Sequence, residues 1–169
     1  LTVYCLDYSG SMSDKGSQLL KKAMDILLDP GKARKFNLGL TKYDRTIVIP
    51  YAHDIKHIWR IFGNSRKTLN NLNRKIQTLT PNGATNIYAP IAAGLHEMRW
   101  IQTSNYHAAI IVMTDGTSTN GTFQSLEEQW KKINKNIPIY CIQYGDASKS
   151  QLQKIADLSK GKVFDGRKD

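Results

Sequence analysis

Apolar runs and mixed segments alternate along this chain, and the alternation predicts its strands and helices. Residues 108–113 (AAIIVM) form a continuous apolar run, which is typical of a strand covered on both faces. Residues 1–7 (LTVYCLD) and 137–144 have the same strand-like character, and residues 162–164 predict a last short strand. Residues 16–28 instead repeat apolar side chains at helical spacing, which predicts a helix with one buried face.

The remaining segments continue this order. Further helices are predicted near residues 65–79, 86–101, 123–133 and 148–158. The last of them opens with Ser148 and Gln151 at the spacing of a capping box. Residues 36–41 and 46–51 are predicted to pair as an antiparallel hairpin, and residues 55–62 to form a short helix. Because strands and helices alternate, we predict an α/β domain with a mostly parallel sheet.

Oxygen-bearing side chains directly follow two of the predicted strands. Asp7 ends the first strand, and Ser9 and Ser11 follow it in a tight turn that contains a glycine. Asp115 follows the apolar run 108–113. In doubly wound sheets, ligands bind beyond the carboxyl ends of the strands, where the strand order reverses. If these two strands are central neighbours, both carboxylates are expected at the same end of the sheet.

A third loop is expected at that end. Residues 80–86 (TPNGATN) are predicted to form a loop, and they lead into the helix that precedes the second central strand. The three loops together supply five oxygen-bearing side chains: Asp7, Ser9, Ser11, Thr85 and Asp115. Hard divalent cations such as Mg²⁺ prefer oxygen ligands. Serine and aspartate at strand ends also cap helices and turns, which is the alternative interpretation of each residue taken singly.

Three motifs in this order resemble the metal-ion-dependent adhesion site of the von Willebrand factor A domain family. They are Asp-x-Ser-x-Ser at 7–11, Gly-x-Thr at 83–85 and Thr-Asp-Gly at 114–116. The resemblance extends over essentially the whole chain, and it implies a single domain over residues 1–169. It also implies a three-layer, Rossmann-like doubly wound fold, in which a six-strand, mostly parallel sheet has one antiparallel edge strand.

The resemblance further implies a bound Mg²⁺ ion, with Mn²⁺ or Ca²⁺ as alternatives. Ser9 and Ser11 would ligate the cation directly, and Thr85, Asp7 and Asp115 would complete the shell directly or through water. The implied function is protein–protein interaction or adhesion without enzymatic activity, in which an Asp or Glu of the partner takes an open metal position. Neutral hydroxyl ligands leave the charge of the cation under-neutralised, so it still attracts a carboxylate. The rim that faces the partner is expected to contain Tyr8, Gly83, Asn86, Gly116 and Thr117.

The C-terminal part of the chain is similar to that of bacterial members of this family. Residues 145–147, 150–152 and 161–167 most resemble envelope proteins that join this domain to a solute-binding-type lobe. This similarity predicts a bacterial source and a location in the cell envelope or on its extracellular side. Eukaryotic adhesive members continue after the last strand into a helix that couples metal coordination to affinity. The chain ends at Asp169, before such a helix, so we expect the domain to belong to a longer protein.

Composition adds two constraints on the partners. The chain carries 24 Lys and Arg against 14 Asp and Glu, a net charge of +10. The basic residues are scattered and are not interleaved with aromatic residues as a single-strand binding groove requires, so nucleic acid is disfavoured and a solvated surface is the preferred interpretation. An RNA-binding variant of the same fold stays open as an alternative. No apolar run approaches the roughly 20 residues that a membrane-spanning helix needs.

A Mg²⁺-dependent hydrolase or phosphotransferase is the other alternative, because strand-end aspartates with Mg²⁺ also serve phosphoryl chemistry. Haloacid-dehalogenase-like phosphatases carry Asp-x-Asp after the first strand, and Ser9 stands at that second position here. The chain also contains neither a Gly-x-Ser-x-Gly elbow nor a Walker lysine loop. Cys5 and Cys141 lie in separate apolar runs and are expected to be buried thiols without a disulfide.

Overall fold

A computed structural model describes residues 1–13, 15–133, 136–145 and 148–167. Within these residues the strands are β1 (Thr2–Asp7), β2 (Arg45–Tyr51), β3 (Trp59–Phe62), β4 (Ala109–Thr114), β5 (Ile139–Gln143) and β6 (Val163–Asp165). The helices are α1 (Lys15–Leu28), α2 (Pro30–Arg34), α3 (Arg66–Thr78), α4 (Tyr88–Met98), α5 (Phe123–Ile133) and α6 (Lys149–Leu158). Short 3₁₀ turns occupy Gly10–Ser13 and Thr103–Asn105. None of the described helices is long and apolar enough to cross a membrane.

The described strands form one sheet in the order β3-β2-β1-β4-β5-β6. All neighbouring pairs are parallel except β2 and β3, which pair antiparallel at one edge. From β1 the chain builds outward to β2 and β3, and then returns to place β4 on the other side of β1. The strand order therefore reverses between β1 and β4, which are adjacent as expected. The predicted fold class, a mostly parallel sheet with one antiparallel edge strand, is confirmed.

Alternating side chains of β1 divide the core between the two faces of the sheet. Val3 and Cys5 pack on the face covered by α4, α5 and α6. Tyr4 and Leu6 pack on the face covered by α1 and α3. Complete burial of a large apolar side chain of this kind contributes about 1.5–3 kcal/mol, so β1 anchors both layers. Cys5 and Cys141 are buried free thiols, as predicted.

The predicted hairpin over residues 36–51 is wrong in its first strand. Residues 36–41 form turns and irregular backbone after α2, and Phe36 and Leu38 are 60% and 51% exposed. The antiparallel partner of β2 is β3, so the expected helix over residues 55–62 is wrong as well. Trp59 and Ile61 pack toward the core while the residues between and after them are exposed, the period of a strand. Such a short apolar run is compatible with a helix or with a strand. Here the segment forms a strand because it pairs with the edge of β2.

Candidate metal centre

The buried carboxylate of Asp7 links the two central loops. Asp7 ends β1, and its Oδ1 accepts a hydrogen bond from the backbone N–H of Ser9 at 2.8 Å. Its Oδ2 accepts from the Thr114 hydroxyl at 2.5 Å, across the β1–β4 pair. The Thr114 Oγ1 in turn accepts from the backbone N–H of Gly116 at 3.2 Å. Asp7 therefore holds the turn after β1 against the turn after β4.

The two serines extend this network toward solvent. The Oγ atoms of Ser9 and Ser11 lie 3.1 Å apart, at hydrogen-bond distance. The Ser11 hydroxyl donates to Asp115 Oδ1 at 2.7 Å. Ser9 is fully buried, whereas Ser11 is exposed. The hydrogen-bond network thus extends from the buried Asp7 and Ser9 to the exposed Ser11.

Gly116 marks the point on which three hydroxyl groups converge. A Cβ placed on Gly116 would lie 2.9 Å from Ser11 Oγ, 3.3 Å from Thr85 Oγ1 and 3.9 Å from Ser9 Oγ. Two of these distances are closer than ordinary van der Waals contact, so any side chain here would intrude on the oxygens. The missing side chain leaves a small space surrounded by hydroxyl oxygens. A space of this kind is what a small cation needs.

Backbone hydrogen bonds hold the three loops together. The Gly10 N–H donates to the Gly83 carbonyl at 2.8 Å, and the Asn82 N–H donates to the Tyr8 carbonyl at 2.9 Å. The Thr119 N–H donates to the Thr85 carbonyl at 2.9 Å, which ties the loop after β4 to the loop before α4. Gly83 has φ of +78°, a left-handed conformation that favours glycine. The five predicted ligand residues are therefore brought to one place by loops that support one another.

The electrostatics of the centre favour a cation. Burial raises the pKa of Asp7 and also that of Asp115, and the proximity of Asp115 adds to the rise at Asp7. Among the described residues, neither carboxylate takes part in an ion pair. Burial disfavours the charged form of a carboxyl group, and a nearby cation relieves that penalty.

The donor set also indicates which cations fit. Within the described residues, no three His, Cys, Asp or Glu side chains cluster as a metal site. Two carboxylates and three hydroxyls are hard oxygen donors, which suit Mg²⁺ or Mn²⁺ and differ from the Cys and His ligands of structural zinc sites. The residues present therefore fit a hard divalent cation, with the hydroxyls as part of its shell.

One predicted rim residue is wrong. Tyr8 is fully buried, and its hydroxyl donates to the Ile76 carbonyl of α3 at 3.0 Å. The side chain lies on the same face of the sheet as Tyr4 and Leu6. The burial of Tyr8 follows from the alternation of side chains along β1, which puts positions 4, 6 and 8 on one face of the sheet.

The other expected rim residues divide into exposed and inward-facing ones. Gly83 and Thr117 are exposed beside the centre, and Gly116 is buried beneath it. Asn86 is half-buried, and its Oδ1 accepts from the Ala89 N–H at 3.3 Å, inside the first turn of α4. Asn86 therefore supports the helix that follows the Thr85 loop, and the exposed part of the rim is formed by Gly83 and Thr117.

Gln151 is a supporting residue that sequence reasoning missed. Its backbone N–H donates to Ser148 Oγ at 3.4 Å, as the capping box predicts. Its side chain does not complete that box: Oε1 accepts from the Ser118 N–H at 2.8 Å, and Nε2 donates to the Tyr88 hydroxyl at 2.9 Å. Gln151 thus fastens the loop after β4 to α4 and α6. These partners are 33 and 63 positions away, so no local pattern could have identified them.

The sequence model of the von Willebrand factor type A domain matches residues 3–168, which is nearly the whole chain. The chain belongs to the von Willebrand factor type A (vWA) family. The resemblance seen in the three motifs is thereby confirmed at the level of the family. No curated protein sequence matches this vWA domain.

Solved structures agree with this vWA fold. A von Willebrand factor type A protein from Catenulispora acidiphila superposes with a TM-score of 0.73 at 22% identity, over 96% of this chain and 37% of that one. BatB from Bacteroides thetaiotaomicron gives a TM-score of 0.60 at 15% identity, over 96% and 88% of the two chains. Proximal thread matrix protein 1 from the mussel byssus, with a zinc-occupied MIDAS motif, gives 0.52 at 18% identity, over 97% and 43%. The vWA domain thus spans 37% and 43% of the length of two of these relatives.

Proposed function

We propose that this vWA domain is a metal-dependent protein-interaction module whose bound Mg²⁺ coordinates an acidic residue of a partner. The observation that supports it is the convergence of the Ser9, Ser11 and Thr85 hydroxyls beside Gly116, with two carboxylates in the same network. When bound, the cation supplies an incompletely neutralised positive charge for a carboxylate. A module of this kind needs no catalytic group.

Each residue has a separate task in this proposal. Ser9, Ser11 and Thr85 provide neutral oxygens, and Asp115 provides charge next to Ser11. Asp7 orients the turn that carries Ser9, since both of its oxygens are engaged by hydrogen bonds from the protein. Ser11 is the exposed serine of the centre, so the partner would approach from its side, between Gly83 and Thr117.

Isothermal titration with divalent cations tests the metal part of this proposal. We expect Mg²⁺ to bind the wild-type domain, and Ser9→Ala and Asp115→Ala to abolish binding while the domain stays folded. Ser65→Ala is the matched control, because Ser65 is exposed and its side chain makes no capping hydrogen bond. Unchanged Mg²⁺ affinity in both site variants would refute the assignment. Mn²⁺, Ca²⁺ and Zn²⁺ belong in the same series, since a mussel relative has zinc in its MIDAS motif.

The partner chemistry can be tested with acetate as a minimal carboxylate. In NMR titrations we expect acetate to shift the amide signals of Gly83, Gly116 and Thr117 only when Mg²⁺ is present. Acetamide, which has a similar shape and no charge, should leave them unchanged. Equal shifts with both compounds, or shifts without Mg²⁺, would contradict recognition of a carboxylate by the cation.

The phosphohydrolase alternative makes a different prediction. A Mg²⁺-dependent hydrolase should turn over p-nitrophenyl phosphate, and Asp7→Asn should remove that turnover. We expect no turnover above the buffer rate for the wild-type domain.

The bacterial source and the envelope location stay predictions. They rest on the resemblance of the C-terminal segments to bacterial members, and the structural neighbour from Catenulispora acidiphila agrees with such a source. Asp146, Ala147 and Asp169, which belong to those segments or end the chain, lie outside the described residues. A regulatory helix after the last strand and the extent of the domain are likewise untested.

A further inference from the structure

The end of the sheet opposite the metal centre carries the most exposed large apolar side chains among the described residues. This surface, here called the distal pole, consists of Phe36, Leu38, Tyr43, Phe62 and Trp100. Their exposed fractions are 60%, 51%, 68%, 62% and 78%. Large apolar groups exposed together on one side of a protein mark a surface that contacts something other than water.

Chain direction places these residues far from the metal centre, since residues 36–44 lead from α2 into the amino end of β2. The first pair of β2 with β3 joins Arg45 to Phe62, at the amino end of the parallel strands. Helix α4 starts just after the Thr85 loop and runs back along the sheet, so Trp100 follows its far end. The metal centre and the distal pole therefore lie at opposite ends of the parallel strands. A six-residue strand such as β1 separates them by about 20 Å.

Positively charged side chains lie close to three of the exposed aromatic rings of the distal pole. Lys42 Nζ lies 4.9 Å from the centre of the Tyr43 ring. The guanidinium of Arg45 lies 5.3 Å from that of Phe62, and the guanidinium of Arg99 lies 5.0 Å from that of Trp100. The sequence pattern did not indicate these cation–ring contacts, which the fold brings about.

The acidic side chains near the distal pole are engaged within the protein. Asp29 accepts hydrogen bonds from the first backbone N–H groups of α2, and Asp44 accepts from the Thr41 N–H at 2.6 Å. Glu97 forms a bidentate pair with Arg60, at 2.5 and 2.7 Å. Arg34 and Lys35 are exposed beside Phe36. The cations named at this end outnumber its three carboxylates, so the distal pole carries a net positive charge: Arg34, Lys35, Lys42, Arg45, Arg60 and Arg99.

A groove within the distal pole combines the same two properties. It has a volume of about 350 Å³ and lies between β3 and the end of α4. Ile47, Ile61, Phe62 and Ile101 form its apolar wall, and Arg45 and the Arg60–Glu97 pair complete the lining. An apolar wall with Arg45 beside it suits a hydrocarbon chain that carries an anionic group.

We propose that the distal pole docks on an anionic lipid surface. Aromatic and aliphatic side chains that project from a basic surface insert at the boundary between headgroups and acyl chains, while Lys and Arg stay among the anionic headgroups. Trp and Tyr are enriched at that level of a membrane. With the distal pole on lipid, the metal centre faces away from the membrane. The proposal stands independently of metal binding.

Two other macromolecular partners fit the distal pole less well. Single-stranded nucleic acid needs open ring faces for base stacking, and here cations lie over the rings of Tyr43, Phe62 and Trp100. The aliphatic side chain of Leu38 offers no ring on which a base could stack. Burial of these rings in the core of a protein interface would desolvate the cations beside them, whereas at a lipid surface the cations stay among the headgroups.

Flotation with lipid vesicles tests the proposal. We expect the 169-residue chain to bind vesicles of 70% phosphatidylcholine and 30% phosphatidylglycerol, and not vesicles of phosphatidylcholine alone. Trp100→Ser and Phe36→Ser should each weaken binding about tenfold or more, because each removes a large inserted side chain. Arg34→Glu and Lys35→Glu should weaken it at least about fivefold each. Phe164→Ser is the matched control, since Phe164 is 50% exposed but lies on β6, at the other edge of the sheet.

Tryptophan fluorescence supplies a second readout. We expect a blue shift on addition of the anionic vesicles that is absent from Trp100→Ser, since Trp59 and Trp130 are already half-buried. Absence of vesicle binding, equal binding to neutral vesicles, or equal losses in Phe164→Ser and Trp100→Ser would overturn the proposal. Tight, steeply salt-dependent binding of oligodeoxythymidine without vesicle binding would overturn it in favour of nucleic acid.

Discussion

The two ends of the central sheet present opposite kinds of surface. At the carboxyl ends of β1 and β4, short polar side chains lie close together, and Asp7 and Ser9 have no exposed surface. At the distal pole, long apolar and basic side chains project into solvent, and Trp100 is 78% exposed. Backbone hydrogen bonds between loops set the first arrangement, and the second consists of exposed side chains with cations beside three of their rings.

This difference separates the two ends in their response to mutation. We expect a substitution in the metal centre to change Mg²⁺ binding, because it disturbs oxygens that several loops position together. A substitution at the distal pole replaces a side chain that is already exposed to water, so we expect little change in the stability of the fold. If both proposals hold, function at the first end depends on preorganisation, and function at the second depends on composition. The following predictions test that separation, in order of expected effect.

Metal-linked stability should give the largest effect. A ligand at 100 times its dissociation constant stabilises the folded state by about 2.7 kcal/mol. We expect Mg²⁺ at that concentration to raise the unfolding free energy of the wild-type domain by this amount and that of Asp115→Asn by nothing. Asp54→Asn serves as control, because the Asp54 side chain is 87% exposed. Equal Mg²⁺ stabilisation of wild type and Asp115→Asn in urea titrations would contradict the prediction.

Gly116→Ala tests the space between the hydroxyls. The new Cβ would lie 2.9 Å from Ser11 Oγ, so it occupies part of the volume that a cation needs. We expect Mg²⁺ affinity to fall by about 10- to 100-fold, the usual range for disturbed metal surroundings. Gly39→Ala is the control, since a Cβ there meets nothing within 4 Å. If calorimetry gives both variants the same affinity, the space beside Gly116 is not the cation site.

Gln151→Leu tests the support of the loop after β4. The change removes hydrogen bonds to the Ser118 N–H and the Tyr88 hydroxyl, and leaves both partners without that contact. We expect a loss of about 1–3 kcal/mol in unfolding free energy, measured by urea denaturation. Gln153→Leu, on the exposed side of α6, should change it by no more than about 0.5 kcal/mol. Similar losses in the two variants would show that the Gln151 amide has no special part in the fold.

Arg60→Ala should give the smallest effect. Arg60 pairs with Glu97 near the distal pole, but its side chain is 59% exposed. Exposed ion pairs contribute about 0–1 kcal/mol, so we expect stability to fall by less than about 1 kcal/mol and Mg²⁺ affinity to stay unchanged. Calorimetry with Mg²⁺ and urea denaturation measure the two quantities. A change in metal affinity would mean that the two ends of the sheet are coupled.

The convergence of the candidate ligands was predictable because it follows from topology. Once β1 and β4 are neighbours, Asp7 and Asp115 must lie at the same end of the sheet, and the Thr85 loop must return there. The alternation of side chains between the two faces along β1 also predicts that Tyr8 is buried. Local pattern and connectivity were therefore enough to predict that these side chains meet, and their role as metal ligands stays a prediction.

The remaining features depend on contacts between distant segments. The four residues Trp59–Phe62 suit a helix or a strand, and the free edge of β2 decides between them. The Gln151 amide finds its partners in other loops. At the distal pole, Arg45 reaches the ring of Phe62 only because β2 and β3 pair. Such contacts depend on the tertiary structure, so no periodic pattern in the sequence predicts them.

Anomalous diffraction from a Mn²⁺-soaked crystal of the domain tests the central claim most directly. We predict a single strong peak beside Gly116, with oxygen atoms of Ser9, Ser11 and Thr85 around it. Ser9→Ala crystals soaked in the same way should lack the peak. A Mn²⁺ peak elsewhere on the protein, with none between these three hydroxyls, would contradict the assignment of this vWA domain as a metal-dependent interaction module.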